Sequence, residues 1–202
     1  MEARDRGTTR RSPGRRPGPS ETRQAILDAA LRAFSTRGFR GASLRAIAAD
    51  AGVDPALIRH FFGDKASLFA AAVADGSDVV ARLVGAFEGG GPDLGRRVAD
   101  AYLRLWEDPE TLAVLRAILG TVLTSPEAMP PLRDMMLASV AVHAPGGAGS
   151  AGVMLAASQL LGLAVMRHIL QVPALATLDR EHVVAMVAPT IDRYLATEAA
   201  AG

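Results

Sequence analysis

Between residues 43 and 65, cations and short polar side chains recur at the spacing of two short helices joined by a turn. Arg59 and His60 fall on the polar side of the second helix, and Lys65, the only lysine of the chain, begins the next helix. Guanidinium and ammonium groups bind phosphate, and an arginine can also donate two hydrogen bonds to a guanine edge. The pattern predicts the binding of a polyanion.

Charge is divided unevenly along the 202 residues, although the formal net charge is only +1. Residues 1–65 hold 13 of the 22 basic and 7 of the 21 acidic residues, a charge of +6, whereas the remainder carries −5. A basic N-terminal third on an acidic remainder indicates a polyanion-binding head joined to a globular body.

Residues 1–19 are predicted to form a disordered basic arm, because six arginines stand there among Gly, Pro and Thr with almost nothing to bury. The arm could be a solvated leader, or it could follow phosphates or enter the minor groove. Order is expected to begin with Ser20 as the N-cap of the first helix, and Gly38 is expected to end that helix.

The cations lie on a helix-turn-helix pattern. Ser43 is a good N-cap for the first of its helices, Gly52 stands where the turn needs a permissive backbone, and Asp54 and Pro55 begin the second helix. The positions expected to face inward are Leu44, Ile47, Ala48, Leu57, Ile58 and Phe61. The outward edge is suited to the major groove, although any two-helix corner would share the glycine and the apolar positions.

The rest of the chain is predicted to be helical as well, because aromatic residues are only 4% and no strand-like alternation is convincing. A helix capped by Asp64 is expected to continue, bent near Gly76, to Phe87. Further helices are expected at about 93–107, 109–123, 126–143, 151–170 and 179–197, with a kink or break at Pro189. The predicted fold is all-α with about nine helices, a helix-turn-helix head at 20–65 and a body at 66–202.

Residues 43–48, 51–54, 58–65 and 68–69 together resemble the DNA-binding domain of the tetracycline-repressor (TetR) family, and the resemblance covers residues 20–69. It implies that Ser43 caps its helix against a phosphate, that the start of the third helix reads bases, and that Arg59 and Lys65 contact the DNA backbone. The family most often has Tyr at Arg59 and Ser at Asp54, so the operator sequence stays open. The DNA-binding residues expected on this basis are Ser43, Arg45, Asp54, Pro55, Ala56, Arg59, His60 and Lys65.

The body concentrates large, adaptable apolar residues, which plain core packing explains and which could equally line a pocket for a small, largely apolar effector. The candidate pocket residues are Phe87, Tyr102, Trp106, Met135, Met136, His143, Met154, Gln159 and Met166. Residues 151–170 are apolar nearly all round and must be covered on every side, so the last two helices are expected to form a homodimer seam. Its candidate residues are Ala156, Gly162, Leu163, Met166, Val187 and Ile191.

Nothing in the sequence predicts an enzyme, a metal site or a cofactor. There is no cysteine, no His-x-x-x-His pair and no Gly-x-Ser-x-Gly elbow. Residues 147–152 match the dinucleotide fingerprint formally, but no acid stands between Asp134 and Asp179 to bind a ribose, so this stretch is interpreted as a loop. Apolar runs are expected to be interrupted before the length of a membrane span, which predicts a soluble, cytoplasmic protein without membrane contact.

These observations predict a one-component transcriptional regulator, usually a repressor in such families. Its homodimer would bind a palindromic double-stranded DNA operator, and a lipophilic effector would release it. Two alternatives stay open, namely a helical DNA-binding architectural protein without a ligand and a helical enzyme of unknown type. The C-terminal stretch 159–195 also resembles the bodies of actinobacterial members of the TetR family.

Overall fold

The computed structural model describes residues 18–76, 78–88, 91–144, 147 and 150–199, and these residues contain helices and no β-strand. The predicted basic arm lies almost wholly outside the described residues, as does most of the loop at 144–149. The described ranges hold eleven α-helices rather than about nine. They are α1 (Pro19–Gly41), α2 (Leu44–Ala51), α3 (Pro55–Phe62), α4 (Lys65–Gly76), α5 (Asp78–Phe87), α6 (Leu94–Glu107), α7 (Pro109–Thr124), α8 (Met129–His143), α9 (Ala151–Ala164), α10 (Pro173–Ala176) and α11 (Arg180–Ala199).

The first helix begins earlier than predicted. Its N-cap is Gly18, whose N–H donates to Glu21 Oε2 at 2.9 Å, so Ser20 lies inside the helix instead of capping it. Gly38 breaks the regular helix as predicted, with φ at 68°, although the element ends at Gly41. A glycine tolerates this left-handed conformation because it has no Cβ.

Helix α1 organises a first core that runs from the head into the body. Phe34 and Phe69 of α4 meet edge to face with ring centroids 5.0 Å apart, and Phe39 packs on the same Phe69 ring at 5.5 Å. Leu105 and Trp106 of α6 belong to this core too. The boundary expected between residues 65 and 66 therefore falls within the first turn of α4, a helix that packs in this shared core.

A second core joins α6, α9 and α11 in the body. Where α6 begins, a Cβ on Gly95 would lie 2.6 Å from Ala188 O and from Asp192 N, and the Gly95 N–H donates to Asp192 Oδ1 at 2.6 Å. Only glycine allows this close approach, and a carboxylate of α11 thereby satisfies the start of α6. Pro189 does not break α11, which is continuous from Arg180 to Ala199, so of the kink or break predicted there the break was wrong.

Helix α9 continues into a π-helical turn, Val165–Ile169, in which the Leu170 N–H donates to Val165 O at 2.9 Å. The segment Ala151–Ile169 has 19 residues, a mean hydropathy of 1.4 and a third of its residues buried, so by length and composition it could cross a membrane. Arg167 interrupts the apolar run of this segment, and the core helix of a globular protein can have the same length and composition. A second such stretch, Pro109–Thr124 with Pro126–Ser139, is bent by 116° at its break.

Candidate nucleic-acid interface

Local capping fixes the two helices of the helix-turn-helix. Ser43 Oγ accepts the Ala46 N–H at 3.2 Å where α2 begins, and Asp54 Oδ1 accepts the Ala56 N–H at 2.7 Å where α3 begins. Between them Gly52 takes φ 68° and ψ 31°, the left-handed conformation that ends a helix sharply. The two caps and the glycine turn lie where the sequence predicted them.

The residues expected to touch DNA lie on the surface of this unit. All but one are exposed, and these are Ser43, Arg45, Asp54, Pro55, Ala56, Arg59 and His60. The expectation that Leu57 is buried was wrong, because α3 buries only Ile58 completely and Leu57, one position away, is 37% exposed. An exposed leucine beside Arg59 and His60 could contact a thymine methyl group, and the sequence did not indicate this because residue type assigned Leu57 to the core.

Most arginines of the head are not held by acids. Arg23 pairs with Asp75 at 2.7 Å and Arg32 with Asp50 at 2.9 Å. The others have no carboxylate within 4.0 Å among the described residues, and they are Arg37, Arg40, Arg45 and Arg59. Cations without an acidic neighbour keep their full attraction for phosphate.

Lys65 differs from these arginines because its ammonium group is partly buried. Its Nζ lies 3.5 Å from Arg40 O and 4.6 Å from the centroid of the Phe39 ring. Burial lowers the pKa of Lys65, and Glu127 partly offsets that effect. These residues line a cleft of about 450 Å³ between the head and the start of α8.

The structure divides the residues of the predicted pocket between two cores. Trp106, 2% exposed, and Met135 belong with the first core, whereas Phe87 and Met154 pack on the second. Tyr102 touches both, and burial raises the pKa of its hydroxyl to about 12.

Three members of the predicted pocket do not face the interior, so their assignment to a common pocket was wrong. Met136 is 48% exposed, Met166 is 39% exposed, and His143 is exposed with its Nδ1 3.1 Å from Ser139 O. Met136 follows Met135 by one position and therefore points about 100° away from the packed side of α8. Gln159 is partly buried, and its Oε1 has no hydrogen-bond partner among the described residues.

Two polar residues, His168 and Arg167, lie near Trp106, and both are among the groups that the sequence offers for orienting a ligand in the body. The His168 ring stacks on the Trp106 ring, with centroids 6.1 Å apart and planes 17° from parallel. Arg167, the preceding residue, is only 9% exposed. Both residues lie on the π-helical turn, which no local sequence signal predicts.

The expected dimer residues fall into three groups, namely buried, partly buried and exposed, and Met166 is among the exposed ones. Ile191 is fully buried and Ala156 is 3% exposed, both in the second core, so their assignment to a contact surface was wrong. Gly162 is exposed, and a Cβ there would meet nothing within 4 Å. Leu163 and Val187 are partly buried. The side of α9 opposite the core is apolar and open.

Comparisons with known proteins agree with this architecture. The model of the TetR family described as "Bacterial regulatory proteins, tetR family" matches residues 26–72, and "Tetracyclin repressor-like, C-terminal domain" matches residues 93–195. A solved TetR-family regulator from Streptomyces coelicolor is 32% identical, with 91% of this chain and 99% of that chain covered and a TM-score of 0.65.

Other relatives match over shorter stretches or by fold. The repressor AcnR of Corynebacterium glutamicum is 36% identical over 66 residues, 33% of this chain and 35% of its own, and the regulator BetI of Rhizobium meliloti is 43% identical over 51 residues, 25% of each. The matched stretches thus span about a third and a quarter of the length of these two curated relatives. NalD, the secondary repressor of the MexAB-OprM multidrug efflux pump of Pseudomonas aeruginosa, is 20% identical over 87% of this chain and 96% of its own, with a TM-score of 0.54, which shows likeness of fold alone.

The family models cover both the head with its exposed cations and most of the body behind it. The relatives are regulators of transcription and not enzymes, which removes the enzyme alternative. The chain belongs to the TetR family of bacterial transcriptional regulators.

Proposed function

We propose that this chain represses transcription by binding a palindromic operator as a homodimer, and that a small effector releases it in the cytoplasm. The observation that carries the DNA-binding role is the helix-turn-helix on which Arg45 and Arg59 are exposed and lack acidic partners among the described residues. Such cations supply both affinity through phosphates and, at a base edge, discrimination between sequences.

Within this proposal, the exposed residues of α2 and α3 divide into two roles. Ser43 and Arg45, where α2 begins, bind phosphate, because helix N-termini and guanidinium groups both attract anions. Pro55, Ala56 and His60 lie on α3 and approach base edges, and Asp54 caps that helix. Arg59 binds a phosphate or reads a guanine.

The homodimer is supported by the open side of α9 and α11. Leu155, Leu161 and Met186 are 50%, 41% and 65% exposed, a cost that burial against a second copy removes. The small Gly162 lies on the same helix as the first two and allows two helices to approach closely. A two-fold dimer would place two copies of α3 about 34–36 Å apart, one turn of DNA.

Release by an effector requires that the molecule bind the DNA-free conformation more tightly than the DNA-bound one. The connection between head and body was expected to be one bent helix over residues 64–87, and in the structure it consists of α4 and α5. A change in the angle between these helices would alter the spacing of the two heads. Effector and operator therefore oppose each other's binding reciprocally.

The operator is tested by selecting bound DNA from a random pool with the full chain. An inverted repeat with half-sites one helical turn apart is expected. Binding that depends on salt without preferring any sequence would support the architectural alternative instead.

The dimer is tested by light scattering at micromolar concentration, where a mass of twice 21.0 kDa is expected. Gly162→Trp should yield a monomer, because the indole would separate the two copies. Gly120→Trp is the matched control, since Gly120 is an exposed glycine of α7 whose Cβ would also meet nothing within 4 Å. A monomeric wild-type chain would contradict the proposal.

A further inference from the structure

Three buried side-chain nitrogens at the junction of α6 and the π-helical turn make no hydrogen bond of regular geometry among the described residues. They are Trp106 Nε1, which has the Tyr102 hydroxyl as a neighbour, Arg167 Nε and His168 Nε2. Trp106 and Arg167 are 2% and 9% exposed. Buried polar groups are nearly always paired in folded proteins, so three unpaired nitrogens in one place indicate an acceptor that belongs there.

The surrounding contacts hold these groups in position. Trp106 and His168 are nearly parallel at 6.1 Å, and the residues next to each of them, Glu107 and Arg167, approach to 3.9 Å. Arg167 also donates from Nη1 to Leu175 O at 2.5 Å, so its guanidinium is fixed while its Nε stays unpaired. π-helical turns are rare and often occur at functional sites.

The local charge favours an anion. His168 is close enough to Arg167, Glu107 and Arg116 to feel their charges, and two of these three groups are cations. Glu107 is already engaged by Arg180 and Arg167. An acidic group entering this junction would therefore meet a net positive field and unpaired N–H donors.

We propose that this junction binds the carboxylate of a small monocarboxylic acid with an apolar body. The Trp106 Nε1–H and the His168 Nε2–H, in the tautomer that carries its proton there, donate to the two carboxylate oxygens. Met135 and Tyr102, which pack against the same core, accommodate the apolar part. His168 is only partly buried, so the carboxylate enters from its side. The inference rests on the proposed function only in treating this acid as the effector.

Trp106 is the only tryptophan, so the ¹⁵N-labelled full chain gives a single indole N–H resonance. The probes are octanoate, decanoate and benzoate, each paired with its alcohol. At least one acid is expected to shift this resonance in a saturable titration and to bind at least 10-fold more tightly than its alcohol, since a hydrogen bond to a charged group is worth at least that factor.

A variant locates the donor. His168→Phe keeps a ring on Trp106 but removes the nitrogen, and it should weaken the same acid at least 10-fold. The matched control is His143→Phe, which changes an exposed histidine of α8 and should leave the affinity unchanged. A thermal melt of each variant shows whether it folds, and the wild-type titration stands on its own if one does not.

The inference is overturned if none of the three acids shifts the indole resonance, or if each binds no better than its alcohol. Operator binding by the acid-free chain, measured on the same preparation, tests the proposed function separately. A chain that binds its operator yet ignores every acid refutes only the carboxylate site. A chain that binds acid but no operator refutes only the regulator.

Discussion

The cations of the head and those of the body are arranged in opposite ways. In the head, Arg45 and Arg59 stand exposed on short helices without an acidic partner among the described residues. In the body, Arg180 bridges Asp100 at 2.9 Å and Glu107, and Arg82 bridges Asp78 at 3.3 Å and Asp108 at 3.1 Å. The arginines of the head are therefore available to bind DNA, whereas those of the body hold helices together.

This contrast explains how a chain with a net charge of +1 can present a basic surface. Among the described residues, most ion-paired acids of the body are held by arginines of the body, and only Asp75 pairs with an arginine of the head, Arg23. A charge removed from the head should therefore change affinity for DNA and leave stability alone. A charge removed from the body should do the reverse.

The largest effect is expected from Glu107→Ala. It removes the carboxylate that faces Arg180 and leaves Arg167, which is 9% exposed, without its acid. Breaking a buried pair costs 3–5 kcal/mol, and because Glu107 is itself 31% exposed we expect a loss of about 2 kcal/mol in the free energy of unfolding. Urea unfolding measures it. Asp134→Ala, which breaks an exposed pair with Arg133, should cost under about 0.5 kcal/mol; equal losses would contradict the contrast.

Arg59→Ala should act on DNA binding instead. If Arg59 binds a phosphate, affinity for every sequence falls and the slope of log affinity against log salt flattens by about 0.9. If it reads a guanine, the loss is about 1–3 kcal/mol and is confined to sequences with that base. Fluorescence anisotropy at several salt concentrations separates the two. Arg133→Ala, on α8 of the body, should change neither quantity, and an Arg59→Ala chain that binds like wild type would remove Arg59 from the interface.

Lys65→Ala tests a cation that has features of both regions. Lys65 belongs to the head, but its Nζ contacts Arg40 O and the Phe39 ring, as the cations of the body contact their own partners. If Lys65 swings out to a phosphate, as we expect, all DNA sequences are weakened similarly and the salt slope flattens by about 1. Stability should fall by only about 0.5–1 kcal/mol, the worth of an exposed cation–π contact. Lost stability with an unchanged salt slope would place Lys65 among the structural cations.

The features that the sequence predicted correctly are those set by neighbours in the chain. The caps by Ser43 and Asp54 and the turn at Gly52 depend on contacts within four residues, so residue type and spacing suffice. The helix-turn-helix and its exposed cations follow from them. Most helix ends were predicted within a few residues for the same reason.

The wrong predictions concern which side of an apolar helix packs inward. Leu57, Met136, Ala156 and Ile191 were each assigned by residue type, but their burial depends on which helix lies opposite. Nearly all residues of α9 are apolar, so the sequence pattern does not indicate which side of this helix packs inward. The π-helical turn has the same origin, since it is packing between α9 and α6 that brings His168 over Trp106.

The smallest effect expected is a pH dependence of stability that comes from His168. Burial, and next the charge of Arg167, lower its pKa in the folded chain from the usual 6.5. Below pH 6.5 the unfolded chain therefore binds a proton that the folded chain does not yet bind, and stability falls as the pH drops until the folded pKa is passed. Because His168 is only partly buried, the slope should be well below the value of about 1.4 kcal/mol per pH unit that a difference of one full proton would give. Urea unfolding between pH 7 and 5 should show that decline in wild type and lose this part of it in His168→Phe, whereas His143→Phe should keep it. An equal decline in all three chains would mean that His168 contributes nothing to it. The Trp106–His168 stack would then open, so that His168 binds its proton in the folded chain as readily as in the unfolded chain.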